Sequence, residues 1–271
     1  MAIEYSKEIS QISHQKFYDL DKVIVKYAFD IHNKFGRFFD EKIYADKLKK
    51  TIDVLGVPAE REVCIKVSHK DFVKKYFIDL LVDKGVIYEL KSVNALNNVH
   101  EQQLINYLLL TNLNYGQLIN FRPGSVKKRF VSTKLNHKER KNYFLDLQDW
   151  NSGIENSSFL KDIIIELLQD WGAFLDYNLY KEAIIYFLGG RGKVEKSIDI
   201  IDEGKILGQQ KFKLLNNKTV FHLSGISKSF ESYEKHICRL LKYVDLEAIQ
   251  WINFNKNDIK FKTITKQLDS N

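Results

Sequence analysis

The sequence predicts an α/β protein with two domains of the same topology, each a mixed sheet of four to five strands flanked by helices. Three observations support this prediction. The 271 residues are enough for two ordinary domains, each with its own hydrophobic core. Residues 62–93 alternate in hydrophobicity as successive strands do, and a helical pattern follows them. Much of this pattern returns in the second half of the chain, which indicates an internal repeat.

The N-terminal half predicts helices followed by a three-stranded meander. We expect a short amphipathic helix over residues 1–20 and a second helix that is capped by Asp21 and ended by Gly36. A further helix is expected over about residues 38–55. The remaining elements, in order, are strands at Glu62–Val67, Phe72–Val82 and Val86–Val93, a helix from Asn97 or Asn98 to about Leu110, and strands at Gln117–Phe121 and Arg129–Ser132.

Polar side chains interrupt two neighbouring apolar strands of this meander. Asp79 lies in one strand, and Glu89 and Lys91 lie two residues apart in the next, so the latter two share a face. Burying such charges costs free energy unless they are paired. A tight turn at Asp83-Lys84-Gly85 returns the chain and places the two strands side by side. The carboxylates and the lysine are therefore expected to meet, in a set that suits a hard divalent cation and an activated water.

Asp79, nine further residues and then Glu89-Leu90-Lys91, followed by a helix with Gln103 and Tyr107, resemble the PD-(D/E)xK nuclease superfamily. More narrowly, the chain resembles the bacterial GxxExxY proteins of that superfamily. The motifs that carry this resemblance are Gly36-Arg-Phe-Phe-Asp-Glu41-Lys-Ile-Tyr44, Glu89-Leu-Lys91, His100-Glu-Gln-Gln-Leu-Ile-Asn-Tyr-Leu108 and Ile119-Asn-Phe121. Phe38 stands where the first glycine of the name-giving motif falls, whereas Glu41 and Tyr44 are kept.

The resemblance implies tandem restriction-endonuclease-like domains and hydrolysis of phosphodiester bonds with Mg²⁺ or Mn²⁺. Asp79, Glu89 and the carbonyl group of Leu90 would bind the metal ion, and Lys91 would orient or deprotonate the attacking water. The expected catalytic residues are Asp79, Glu89, Lys91, Gln103, Tyr107 and Glu41. The expected partner is nucleic acid, with DNA favoured.

Positive charge is concentrated in the N-terminal half. Of the formal net charge of +7, residues 1–150 carry +6 and residues 151–271 carry +1. Lys127, Lys128 and Arg129 form a basic run that is typical of a solvated linker but that could also contact phosphates. We name these three residues as the candidate nucleic-acid contacts.

The second half repeats the apolar frame without the charges. After a basic linker over residues 133–157, residues 158–266 are expected to form a degenerate copy of residues 21–132, and residues 88–121 recur at a constant offset of 133. The copy is expected to lack the site, because its counterparts of Glu41, Asp79, Glu89, Lys91 and Gln103 are Tyr177, Lys213, His222, Ser224 and His236. We expect the two histidines to be structural or surface residues, and the copy to act as a scaffold, a substrate-binding platform or a partner in an intramolecular pseudo-dimer.

The alternative function is a non-catalytic nucleic-acid-binding or protein-interaction module built on the duplicated fold. A small-molecule enzyme has no phosphate loop or dinucleotide motif to support it. No apolar run approaches the roughly 18 residues of a membrane helix, and the polar start MAIEYSKEISQ predicts no secretory signal. We therefore expect no membrane partner, a cytoplasmic location, and Cys64 and Cys238 as reduced structural residues.

Overall fold

A computed structural model describes residues 2–266 of the chain. The chain divides into two compact units, Met1–Glu139 (unit 1) and Arg140–Asn271 (unit 2). Within residues 2–266, no helix combines the length and the apolar character that crossing a bilayer requires.

Unit 1 is built on one mixed sheet. Its described elements are β1 (Ile3–Tyr5), α1 (His14–Phe35), α2 (Glu41–Val54), β2 (Ala59–His69), β3 (Phe72–Val82), β4 (Val86–Lys91), α3 (Asn98–Thr111), β5 (Tyr115–Asn120) and β6 (Lys127–Ser132). The short helix α4 (His137–Arg140) follows at the boundary between the units. In the described part of unit 1 the strand order is β1-β2-β3-β4-β5-β6. β4 and β5 are parallel, and the other neighbouring strands are antiparallel.

Helices cover both faces of this sheet. Leu80, Tyr88 and Leu90 belong to a buried core that also contains residues of α1 and α2, so those two helices lie on one face. The opposite face, which carries Glu89, is covered by α3, because the Gln103 side chain donates a hydrogen bond to the Glu89 carboxylate. Because helices pack on both faces of the sheet, water is largely excluded from its centre. The charged groups of β4 are therefore buried in unit 1.

Unit 2 contains two separate sheets. Its described elements are β7 (Phe144–Asp149), α5 (Ser157–Trp171), α6 (Tyr177–Phe187), α7 (Arg191–Val194), β8 (Glu195–Asp202), β9 (Lys205–Lys213), β10 (Thr219–Ser224), α8 (Phe230–Lys242), β11 (Ala248–Asn255) and β12 (Asp258–Thr265). In the described residues, one sheet has the strand order β10-β11-β12-β7, and β8 and β9 form a two-stranded sheet of their own. β10 and β11 are parallel, and β12 is antiparallel to β11.

The N-terminal segment differs from the expected helix over residues 1–20. Ile3–Tyr5 pair with β2 as a sixth strand of the sheet, which exceeds the four to five strands predicted. The helix α1 begins at His14, where the Ser13 side chain accepts the N–H of Lys16, and Asp21 is buried inside α1 rather than at its start. A three-residue edge strand has no detectable period, so the sequence pattern could not separate it from the helix that follows.

The expected basic linker over residues 133–157 is wrong in its central part. Phe144–Asp149 form β7, an edge strand that pairs parallel to β12, and the ion pairs Lys260–Asp146 and Lys262–Asp149 join the two strands. The side chain of Arg140 is buried and donates to the carbonyl group of Trp171 (2.6 Å). An exposed edge strand keeps charged side chains, so its composition imitates that of a linker.

The two units share an element order and several specific contacts. In both, two helices precede an antiparallel hairpin, a strand, a helix, a parallel strand and a final antiparallel strand. Ile87 pairs with Gly116 in unit 1 and Val220 with Ile249 in unit 2, so the parallel pairs have the same register at an offset of 133 residues.

A buried asparagine clamp occurs in each unit. In unit 1 the Asn120 side chain accepts the N–H of Val93 (3.1 Å) and donates to its carbonyl group (2.7 Å). In unit 2 Asn253 makes the same two bonds to Ile226, at 2.7 Å and 2.9 Å. Each asparagine thus satisfies both backbone groups of one residue that has just left a strand.

We predict that Asn120→Ala and Asn253→Ala each lower the free energy of unfolding by about 2 kcal/mol, because each leaves a buried N–H and a carbonyl group without a partner. Urea denaturation monitored by circular dichroism measures the change. Asn33→Ala, at an exposed position of α1, is the control and should stay within about 0.5 kcal/mol of the wild type. A loss no larger than that of the control would show that the clamp does not stabilise the fold.

Candidate active site

The hairpin of β3 and β4 sets the position of the acidic residues. Asp83 (φ 48°) and Lys84 (φ 60°) form a type I′ turn that is closed by the Gly85 N–H on the carbonyl group of Val82 (3.1 Å). The register pairs Leu80 with Tyr88. Continuing it by one pair places Asp79 opposite Glu89, so both carboxyl groups project from one face of the sheet.

At the end of this hairpin, the Asp79 side chain takes the place of a backbone carbonyl group of β3 as a hydrogen-bond acceptor for β4. Its Oδ2 atom accepts the backbone N–H of Leu90 (2.9 Å), which fixes the carboxyl group beside β4. The Asp79 side chain is partly exposed, whereas Glu89 is only 1% exposed. The pair therefore lies where solvent reaches the edge of a buried site.

Glu89 is bonded on one carboxylate oxygen and not on the other. Its Oε1 atom accepts from Lys91 Nζ (2.7 Å) and from Gln103 Nε2 (2.8 Å). Gln103 Nε2 also donates to the hydroxyl group of Tyr107 (3.0 Å). Glu89 Oε2 is buried and has no hydrogen-bond partner among residues 2–266. The structure thus brings together five of the six predicted catalytic residues, namely Asp79, Glu89, Lys91, Gln103 and Tyr107.

Helix α3 packs closely on the sheet beside a glycine. A Cβ atom at Gly116 of β5 would lie 2.9 Å from Cδ1 of Leu104 and 3.1 Å from the carbonyl oxygen of Ile87. The first contact is with the end of a flexible side chain and the second is tighter than most carbon contacts, so a side chain here would require Leu104 to move and the backbone to shift slightly. Gln103 precedes Leu104 in α3, so this tight helix–sheet contact lies next to the residue that reaches Glu89.

Glu41, the sixth predicted catalytic residue, lies at the carboxyl end of β4. It is the first residue of α2, and its Oε1 atom accepts the N–H of Ser92 (3.0 Å). Its negative charge contributes to raising the pKa values of Asp79 and Glu89. Glu41 therefore adds negative potential to the site.

The ionisation of the site is set by burial and by the repulsion of its carboxylates. Burial, and then the charge of Asp79, raise the pKa of Glu89 to about 8. Burial likewise raises the pKa of Asp79. For Lys91, burial opposes the charged form, but the neighbouring carboxylates outweigh it and its pKa is raised. Burial, and then Glu89, raise the pKa of Tyr107 to about 12, so its hydroxyl group stays neutral.

Arg61 of β2 lies near the site and was not predicted. It pairs in register with Leu80 and forms an ion pair with Asp46, and its positive charge partly offsets the rise in pKa that burial gives Asp79. His100, a member of the α3 motif, makes a local hydrogen bond: its Nδ1 atom accepts the Asn97 N–H (3.1 Å) and closes a capping box. Nothing in the sequence marks Arg61, because its place depends on the β2–β3 register.

The basic run at residues 127–129 lies on β6 and does not form one surface. Lys127 and Arg129 are in register, through β5, with Lys91 and Glu89, so they share the face of the site at about two strand spacings, roughly 10 Å. Lys128 is on the opposite face and forms an ion pair with Asp21 (3.2 Å). Arg129 is paired with Glu101 of α3 (3.0 Å). Regular strand alternation thus separates Lys128 from the candidate site.

The donor set fits a hard divalent cation. The Glu89 Oε2 atom is buried without a hydrogen-bond partner among residues 2–266, and Asp79 supplies a second carboxyl group beside it. Across residues 2–266, no three His, Cys, Asp or Glu side chains are grouped so that they could hold a metal ion by themselves. Two carboxylates suffice for Mg²⁺, which commonly takes its remaining ligands from water and substrate phosphate. Leu90, whose carbonyl group was expected as a further ligand, lies between Glu89 and Lys91 in β4.

The segment that carries this acid pair and lysine is similar to a known protein superfamily. Residues 18–132 match the family model of the PD-(D/E)XK nuclease superfamily, which supports placing this segment in the superfamily and a nuclease-like function for it. No curated protein matches the chain. A solved structure titled "Crystal structure of SSO0001" is similar over 69% of this chain and 89% of its own, with 16% identity and a TM-score of 0.26. A TM-score this low supports no conclusion about a shared fold.

We predict that the metal-free protein becomes less stable as the pH rises from about 4.5 to about 8. In this window folded Glu89 keeps a proton that the unfolded chain has released, so unfolding becomes easier with each step in pH and levels off above about 8. The total loss is on the order of 5 kcal/mol. Urea titrations in EDTA at several pH values measure it. Glu89→Gln has no such proton and should give a flatter profile; an equally steep one would show that other groups cause the slope.

We predict that Asp79→Asn stabilises the metal-free protein by about 1 kcal/mol, or roughly 3 °C in Tm, because the amide carries no charge that burial opposes and its oxygen still accepts the Leu90 N–H. The same variant should lose the rise in Tm that Mg²⁺ or Mn²⁺ gives the wild type. Asp30→Asn, at an exposed position of α1, should respond to metal as the wild type does. A variant that is still stabilised by metal would exclude Asp79 as a ligand.

Proposed function

We propose that unit 1 is a metal-dependent nuclease of the GxxExxY type that hydrolyses phosphodiester bonds with Asp79, Glu89 and Lys91. One observation carries the proposal: a buried carboxylate with an unsatisfied oxygen lies beside a second carboxylate and a charged lysine. Without a cation this arrangement only costs stability. The cost is explained if a divalent cation completes the site during function.

Asp79, Glu89 and the Leu90 carbonyl group would hold Mg²⁺ or Mn²⁺, which would supply the positive charge that polarises the phosphoryl group and activates water. Lys91 keeps its proton at neutral pH because its pKa is raised, so it orients and stabilises charge rather than acting as a general base. It already donates to Glu89 Oε1, and from there its remaining N–H groups can donate to a phosphoryl oxygen or to water.

Gln103, Tyr107 and Glu41 are positioning residues in this proposal. Gln103 holds the Glu89 carboxylate from α3, and Tyr107 accepts from the same amide, so the orientation of Glu89 is fixed from the helix. Glu41 holds the backbone just beyond β4 through the Ser92 N–H. Each would place a reacting group without taking part in bond making.

Nucleic acid is the proposed substrate, with DNA favoured. Lys127 and Arg129 lie on the face of the acid pair and could contact phosphates along a bound strand, whereas Lys128 faces away. Such contacts fix the register of a nucleic acid without reading its sequence.

We further propose that unit 2 is a degenerate copy of unit 1 that lacks the site. The shared register of the parallel strands, the paired asparagine clamps and the Tyr44–Gly36 and Tyr180–Gly172 hydrogen bonds support it. The acidic positions of unit 1 correspond to Lys213 and His222 in unit 2. The survival of the frame without its acids favours the second candidate function, a non-catalytic nucleic-acid-binding or interaction module.

Cleavage assays distinguish the two functions. Single- and double-stranded DNA and RNA are incubated with the protein and Mg²⁺ or Mn²⁺, and we expect Asp79→Asn and Lys91→Gln each to reduce cleavage by at least about 100-fold. Lys75→Gln, an exposed lysine of β3, should cleave as the wild type does. Binding that needs no metal, with no cleavage by the wild type, would instead establish the non-catalytic module.

A further inference from the structure

Unit 2 contains a cavity at the place that corresponds to the acid pair of unit 1. Its volume is about 440 Å³, within the range of small-ligand sites, and it lies between the end of β9, strand β10 and helix α8. One part of its wall is apolar and aromatic, with Phe212, Tyr233, Ile237 and Ile249. The other part is basic, with Lys181, Lys211, Lys213, His222 and His236.

The cavity exists because two elements stand away from the sheet. The hairpin of β8 and β9 is joined to β10 by the isolated bridge Leu214–Val220, whereas β3 and β4 of unit 1 pair over three residues. In α8, all of whose residues are described, Leu241 is the one buried residue, whereas α3 has seven. Ile249 lies in the register position of Gly116, and its side chain forms part of the cavity wall where α3 packs directly on the sheet in unit 1.

Within residues 2–266, the three lysines of the cavity (Lys181, Lys211 and Lys213) form no ion pair with a carboxylate. The Lys181 ammonium group donates to the Asn178 side chain and lies 5.5 Å from the ring centre of Tyr177. Burial, and then Lys213 and Lys181, lower the pKa of His222. These cations therefore repel one another in the cavity, and a bound anion would reduce this repulsion.

Charged groups on β9 and on α6 with its N-cap also act on Lys181. Burial and then Lys213 lower its pKa, and Asp176 and Glu182 offset this in part. The residual field in the cavity is thus positive, in contrast to the field of the acid pair in unit 1, where the carboxylates raise the pKa of Lys91. The corresponding sites of the two units are adapted to opposite charges.

Aromatic rings give the cavity a flat wall. The Nε2 atom of His222 and the hydroxyl group of Tyr233 are hydrogen-bonded (2.7 Å), and their rings are stacked with centres 5.9 Å apart. Tyr177 and Phe212 add further rings beside the lysines. A ligand with an aromatic ring and a phosphate group matches both parts of the wall, because rings stack on rings and ammonium groups bind phosphate.

We propose that this cavity binds a nucleotide, with its phosphate group against Lys181, Lys211 and Lys213 and its base against the aromatic wall. The nucleotide is either a free mononucleotide or the 5′-phosphorylated end of a strand. The proposal does not depend on cleavage by unit 1, since the cavity contains neither Asp79 nor Glu89.

Binding is measured on the full-length Asp79→Asn protein in EDTA by isothermal titration calorimetry with AMP, adenosine, and a short oligonucleotide with or without a 5′-phosphate. We expect adenosine to bind at least about tenfold more weakly than AMP, because the phosphate contacts are lost. Lys213→Glu and Lys181→Glu should each weaken AMP binding by at least about tenfold. The matched control is Lys235→Glu, at an exposed position of α8 outside the cavity, which should change it by less than about twofold.

The results distinguish a free mononucleotide from the 5′-phosphorylated end of a strand as the ligand. Equal binding of AMP and of the 5′-phosphorylated oligonucleotide, with loss when the oligonucleotide has a 5′-hydroxyl group, assigns the cavity to strand ends; AMP binding alone assigns it to free nucleotides. If Lys213→Glu does not fold, Lys211→Glu, at an exposed position, replaces it. Absence of AMP and oligonucleotide binding, equal affinity for adenosine and AMP, or an equal effect of Lys235→Glu overturns the proposal, whatever the outcome of the cleavage assays.

Discussion

The burial of Glu89 is the constraint on which the candidate site depends. A carboxylate in the middle of a covered sheet is costly, and it is tolerated here because Lys91 and Gln103 share one of its oxygens. The other oxygen has no partner, and Asp79 adds a second negative charge nearby. The fold of unit 1 therefore supports an arrangement that is less stable than an apolar one would be. Such local cost is typical of groups that are held for chemistry rather than for folding.

The sequence predicted the elements that have a strong period and the residues that lie on them. The alternation of β2, β3 and β4 and the asparagine before α3 were sufficient to bring Asp79, Glu89, Lys91 and Gln103 together. The elements that it missed are edge strands: β1 is too short to show a period, and β7 is stabilised by ion pairs with Lys260 and Lys262 rather than by apolar alternation. The position of Arg61 near the site was also beyond the sequence, because it depends on the register of β2 against β3. The separation of Lys128 from Arg129 was missed because the predicted strand began at Arg129, whereas β6 begins at Lys127 and its alternation places neighbouring residues on opposite faces.

Comparison of the two units distinguishes residues that stabilise the fold from residues that form the candidate site. Asn120 and Asn253 hold equivalent backbone groups. Tyr44 packs against Phe121, which directly follows β5, and Tyr180 packs against Phe254 of β11, at ring distances of 4.3 Å and 4.8 Å. These contacts satisfy buried polar groups and fill the core, so they are needed whether or not a cation binds. The charged residues of β3 and β4 have no comparable role in packing, which is consistent with their replacement in unit 2.

Position 116 and its counterpart in unit 2 mark where the helix–sheet packing of the two units differs. In unit 1, α3 packs tightly on Gly116 and its amide side chain reaches the carboxylate. In unit 2, Ile249 occupies the matching position and lines the cavity between the sheet and α8. A comparison of charged residues alone would overlook this pair, because neither side chain carries a functional group.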